Sequence, residues 1–147
     1  MAIAATKYLG FAGDIGLGSH PNLNTDTHKV ALTASAITNT NTILANITQI
    51  TSGNGYTTGG NAATNTFSNV GPGTGTLVAT AITWTAGPSA MANARSAIYY
   101  SNNSAVLVNP LMLGWDYGVG GFTLNPGETF QWRPNSSTTT GNVLTIT

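Results

Sequence analysis

From His28 onward the chain breaks into short β-prone runs separated by turn-forming residues, with no repeated βα unit. That pattern predicts an all-β domain of about eight short strands, a β-sandwich with the jelly roll among its open arrangements. The clearest run is TLVATAITWT at 76–85. There Leu77, Ala79, Ala81 and Thr83 alternate with Val78, Thr80, Ile82 and Trp84, which predicts one strand with two distinct faces. HKVALT at 28–33, Thr64–Val70, ANARSAIYYS at 92–101 and GNVLTIT at 141–147 read as further strands. SAVLVNPLMLGW at 104–115 reads as a long strand interrupted at Pro110, where an edge or a bulge is expected because proline cannot donate to a ladder. GGFTLNPGETFQWRP reads as strand, turn at Pro126–Gly127, strand. NTILANITQI at 41–50 is ambiguous: Ile43, Ile47 and Ile50 have helical spacing, but β-branching argues the other way. A single helical turn entering a strand reconciles the two. The segment 51–63 reads as a loop and GPGTG at 71–75 as a turn.

Residues 1–27 read as an N-terminal arm and 28–147 as the β-sandwich domain. The arm contains a segment, Ala2–Phe11, fit for a short helical turn or an extended strand and too short to be stable alone. Its alternatives are a frayed terminus and an arm docked on its own domain or on a neighbour. Tyr8 and Phe11 favour docking, since two aromatic rings sit poorly on a free tail.

Only four basic and four acidic residues occur among 147, 5% against about 25% in ordinary soluble domains, and the formal net charge is zero. Thr and Asn, 25 and 16 of them, fill the polar positions instead. Threonine suits a sheet surface because it is β-branched and polar without charge. Free monomers use net charge to stay apart, so this surface points to a chain that works in an assembly. Lys7, Lys29, Arg95 and Arg133 are dispersed and make no phosphate-tracking patch, which argues against direct nucleic-acid binding. No apolar run reaches the length of about 18 residues that a membrane helix needs.

Catalytic material is scarce. Asp14, Asp26, Asp116 and Glu128 are the only carboxylates, and no two are close in sequence as a pair flanking a glycosidic bond. His20 and His28 follow no metal-ligand spacing, and adding Asp26 gives only a loose triad. GPGTGT lacks the lysine and helix of a phosphate loop, and no GxSxG elbow occurs. Neither an enzymatic activity nor a cofactor nor a metal is expected. Trp84, Trp115 and Trp132 offer sugar-stacking surfaces, although a tryptophan in an alternating strand is more often core. In a regular strand one of Tyr99 and Tyr100 faces outward, which nominates an interface tyrosine; Tyr56, in a glycine-rich loop, is another candidate. Arg95 is expected to bond backbone carbonyls or a neighbour's aspartate, so stabilising a loop or an interface.

Four segments in order then carry a resemblance: DTHKVAL at 26–32, GNGYTTGG at 53–60, AITWTAG at 81–87 and ARSAIYYSNNSAVLV at 94–108. Together they resemble a family of small tailed-bacteriophage virion structural proteins, with a GxGYxxGG loop and a W…ARxAxxY segment. The resemblance implies a β-rich structural component of the particle. It implies that Gly55, Tyr56, Gly59 and Gly60 form a signature loop, and that Trp84 and Arg95, with Ala94, Ala97 and Tyr100, frame a central hairpin. The implied role is capsid decoration: cement between capsomers at the head surface. Its expected partners are the major capsid protein and neighbouring copies, with a trimer favoured. A tail- or fibre-associated protein is the alternative, and a carbohydrate-binding adhesion module the third reading.

Overall fold

The computed structural model describes residues 4–16, 22–102, 107–136 and 139–147. The chain is all-β, built from antiparallel sheets, with one α-helix among the described residues. β1 (Thr6–Lys7) leads into α1 (Leu9–Gly16). β2 (His28–Thr33) is followed by a single 3-10 turn, Leu44–Asn46, and then by β3 (Asn61–Ala63) and β4 (Asn65–Gly71). β5 (Thr74–Thr80), β6 (Ile82–Thr85), β7 (Met91–Ala94) and β8 (Ser96–Ser101) come next. β9 (Leu111–Asp116), β10 (Phe122–Leu124), β11 (Thr129–Trp132) and β12 (Thr140–Ile146) complete the chain. The largest sheet runs β1-β9-β8-β2-β3. A second runs β12-β5-β4, and β10-β7 and β11-β6 are separate pairs.

The run 76–85 corrects the expectation of one strand. It is two strands in two sheets, with Leu77 and Ala79 buried before Ala81 and Ile82 and Trp84 buried after it. The buried parity flips at Ala81, so an uninterrupted alternation would have put one half's apolar set into water. Residues 91–101 divide in the same way: β7 pairs with β10, β8 joins the large sheet, and Arg95 stands between them. The expected loop 51–63 contains the short strand β3, which pairs with β2 through Val30↔Asn61. Pro110 sits just before β9 and bridges to Ile43, and the β8–β9 ladder shifts register between Tyr99 and Tyr100. The stretch 103–106 lies outside the described residues.

The five-stranded sheet is covered on both faces. Val30, Leu32, Ala97 and Tyr99 join the main core with Leu77, Trp84, Met91 and Trp132 from the other sheets. Ala31, Ile98 and Tyr100 face a second cluster made by Tyr8, Leu44 and Leu111, with Ile37 and Ile47 packed against it. This doubly covered sheet explains why all six residues of β8 are buried. The arm folds back on its own domain. Thr6 and Lys7 pair with Gly114 and Leu113, and the Tyr8 and Leu9 amides donate to Met112 O and Asn39 O. Tyr8 and Phe11 are thereby buried.

Candidate functional site

The GNGYTTGG segment is a latch between sheets. Gly53 and Tyr56 exchange backbone hydrogen bonds of 2.7 and 3.0 Å, closing a tight turn on Asn54–Gly55. Both central residues have positive φ, 50° and 95°, which is why Asn-Gly stands there. Gly55 lies against the Thr85 carbonyl of β6, with no room for a Cβ. The Tyr56 ring is buried, and its hydroxyl accepts from Leu32 N at 3.1 Å and donates to Gln49 Oε1 at 2.7 Å. Gly59 N also donates to Gln49 Oε1, at 2.7 Å, while Gly59 O accepts from the Tyr100 hydroxyl at 2.6 Å. Gly60 packs on the Val30 carbonyl. Tyr56, Gly59 and Tyr100 therefore meet in one hydrogen-bonded cluster, while Gly55 and Gly60 anchor its two ends. Gln49, at the centre, has no signal in the sequence, because its role depends on a carboxamide oriented across the fold.

The interface tyrosine is corrected. Tyr99 and Tyr100 are both buried within the chain because the second apolar cluster covers the face that would otherwise be solvent. The Tyr99 hydroxyl shares a 2.7 Å hydrogen bond with His28 Nδ1 in the interior. Burial pushes the hydroxyls of Tyr8 and Tyr56 up to about 12, and burial followed by the neighbouring Tyr56 does the same for Tyr100. Burial raises Tyr99 and Tyr117 as well. For Tyr8, Tyr56 and Tyr100 the unfolded chain, titrating near 10, releases its protons first. Their contribution to stability is complete below pH 10 and is lost as the pH rises through 12. The expected result is cooperative alkaline unfolding in that window, with tyrosinate absorbance appearing in step with loss of β circular dichroism. Titration of every tyrosine near 10 with the sheet intact would contradict it.

Sugar stacking on the tryptophans is overturned as well. Trp84, Trp115 and Trp132 are buried. Trp84 stacks on Phe130 at 5.8 Å, and Trp132 stacks on Tyr99 at 5.6 Å while meeting Trp115 edge-on at 5.1 Å. These rings fill the space between sheets and present no face to a glycan.

Arg95 finds a partner inside its own chain, the carboxylate of Asp116. Its Nε and Nη2 donate to Asp116 Oδ1 and Oδ2, each at 2.9 Å, in a bidentate pair. Asp116 Oδ1 also accepts from Gly118 N at 2.8 Å, and Tyr117 N donates to Arg95 O at 2.9 Å. The Arg95 hydrogen bond is the main reason that the Asp116 carboxyl is held below the usual carboxylate range. The pair ties β7–β8 to the end of β9 and fixes the loop that follows. Arg95→Met is expected to lower the melting temperature and to speed hydrogen exchange at the Gly118 amide. Unchanged melting with unchanged exchange would refute this role.

Of the other carboxylates, Glu128 serves a turn. Glu128 Oε2 accepts from Asn125 N at 2.7 Å, bracing the Pro126–Gly127 turn, and Asp26 Oδ2 accepts from Ser101 Oγ at 3.4 Å. Asp14 is half-buried on α1. His20 lies outside the described residues. Among the described residues, no three His, Cys, Asp or Glu side chains gather as a metal site, and no helix is long and apolar enough to cross a membrane. No family model, no curated protein and no solved structure matches the chain.

Proposed function

We propose that this chain is a structural binding protein of a tailed-bacteriophage particle: a β-sandwich subunit that decorates the outer surface of the head and cements neighbouring capsomers. The observation that carries this reading is the contrast between its sheet edges. The five-stranded sheet ends in β1 and β3, of two and three residues, the usual protection of an edge by shortness. The three-stranded sheet ends in β4 and β12, seven residues each, with neither a charged residue nor a proline; Leu23 and Asn24 bond Asn65 and Phe67 of β4, which leaves β12 the longer open edge. Long uncharged edges invite strand addition by another chain. In a chain with zero net charge, nothing opposes that approach over distance. Such a subunit engages only the assembled shell, so binding stabilises the shell by mass action, and many copies multiply a modest contact.

The test is a particle reconstruction with the protein located by a label. Density at capsomer junctions of the head, at three-fold positions if the subunit is a trimer, is the expected result. Density on the tail alone would overturn the head assignment in favour of a tail-associated role, and absence from the particle would overturn the virion reading altogether.

A further inference from the structure

Among the 16 asparagines, Asn54 alone is followed by glycine. That neighbour decides the chemistry open to the side chain. Glycine has no Cβ to shield its amide nitrogen, so the nitrogen of Gly55 can reach the Asn54 carboxamide carbon and close a five-membered ring. Asn54 is also exposed, so water reaches whatever forms there.

The fold holds the two reacting atoms apart. The Gly53–Tyr56 hydrogen bonds close the turn, and positive φ at both Asn54 and Gly55 is the signature of a type I′ turn. Its first central residue has a ψ of about 30°, which points Cβ away from the next amide nitrogen. Ring closure therefore needs a large rotation about the Asn54 Cα–C bond. The surrounding chain resists that rotation. The Asn54 carbonyl, in the same peptide plane as Gly55 N, accepts from Gly87 N at 3.1 Å. Gly55 lies against the Thr85 carbonyl, and a Cβ on Gly87 would crowd the Asn54 backbone, so residues 85–87 pack directly on the turn. Tyr56, the next residue, is buried and bonded to Leu32 N and Gln49 Oε1.

We propose that Asn54 is a self-modification site gated by this latch. When the latch opens, Gly55 N attacks Asn54 Cγ. The N–Cγ bond forms, the Cγ–Nδ2 bond breaks, and ammonia leaves with the Gly55 amide proton. Water then opens the cyclic imide at either carbonyl, giving aspartate or isoaspartate, and nothing is oxidised or reduced. Isoaspartate carries one more methylene in the main chain, in a turn that has no room even for a Cβ at Gly55. Conversion to isoaspartate thus follows opening of the latch and then prevents it from closing again.

Incubation of the full-length chain at neutral pH, folded and in guanidinium chloride, with peptide mass mapping of the amide-to-acid change, tests this. In the denatured chain Asn54 converts before any other asparagine. In the folded chain it converts about ten-fold more slowly or less, because only the locally opened fraction reacts. Tyr56→Phe, which touches neither reacting atom, speeds the folded rate about five-fold or more by loosening the latch and leaves the denatured rate unchanged. Gln49→Ala takes its place if that variant does not fold. The isoaspartate form, separated by its added charge, melts below the parent chain. Equal folded and denatured rates, another asparagine converting first in denaturant, a folded latch variant no faster than the wild type, or an isoaspartate form that melts as the parent does would each overturn the proposal.

Discussion

Gly60→Ala is expected to cost about 3 kcal/mol or more, a large share of the roughly 5–15 kcal/mol that holds a domain folded. Two effects add. Gly60 has a φ of 67°, a region that costs a residue with a Cβ about 1–2 kcal/mol. The new Cβ would also overlap the Val30 carbonyl, which is backbone and cannot swing aside. Relief requires parting β3 from β2 at Val30↔Asn61 and pulling Gly59 from the Tyr100 hydroxyl. Gly73→Ala is the control, since its φ is 74° but a Cβ there meets nothing. It should lose only the conformational part, about 1–2 kcal/mol. Urea titration of both variants separates the effects through their midpoints at unchanged slope. Equal midpoints for the two variants would show that the close approach at Val30 carries no energy.

Trp132→Ala should cost about 3–5 kcal/mol and leave the protein at or below the threshold of folding. Trp132 is 1% exposed and lies between Tyr99 of the large sheet and Trp115, so its ring is packing shared by β11, β8 and β9. Removing it opens a void that two sheets border and that neither can close alone. Trp132→Phe should recover much of the loss. The indole Nε1 has no hydrogen-bond partner among the described residues, so phenylalanine gives up ring area without breaking a hydrogen bond. Thermal melts followed by near-ultraviolet circular dichroism check both. An alanine variant within about 1 kcal/mol of the wild type would mean that the sheets are joined elsewhere.

Alternation and turn residues made the all-β class legible, because a period of two with glycine and proline punctuation admits few other backbones. The segment 51–63 reads in sequence only as a loop; the structure adds the tight turn at Asn54–Gly55, where positive φ at consecutive positions restricts the residues that can occupy them. The paired Gly59–Gly60 and the tyrosine between marked the loop as special without naming what it touches. Gln49 went unseen because its two hydrogen bonds, from Tyr56 and Gly59, come from residues 7 and 10 positions along the chain. Asp116 was weighed as a catalytic carboxylate and is the clamp on Arg95, a residue 21 positions away.

The burial of Tyr99 and Tyr100 shows where the division falls. Alternation fixes that the two rings point to opposite faces of β8, and the fold agrees, placing one in each apolar cluster. Alternation is silent on what covers each face, and here the returning arm and the segment around Leu44 cover the second. The same holds at Ala81 and Arg95, where continuous β-prone runs pass from one sheet to another. Local propensity constrains φ and ψ residue by residue. The partner of each strand is set by hydrogen bonds and packing between segments far apart in sequence, and their free energies exist only once the chain has closed on itself.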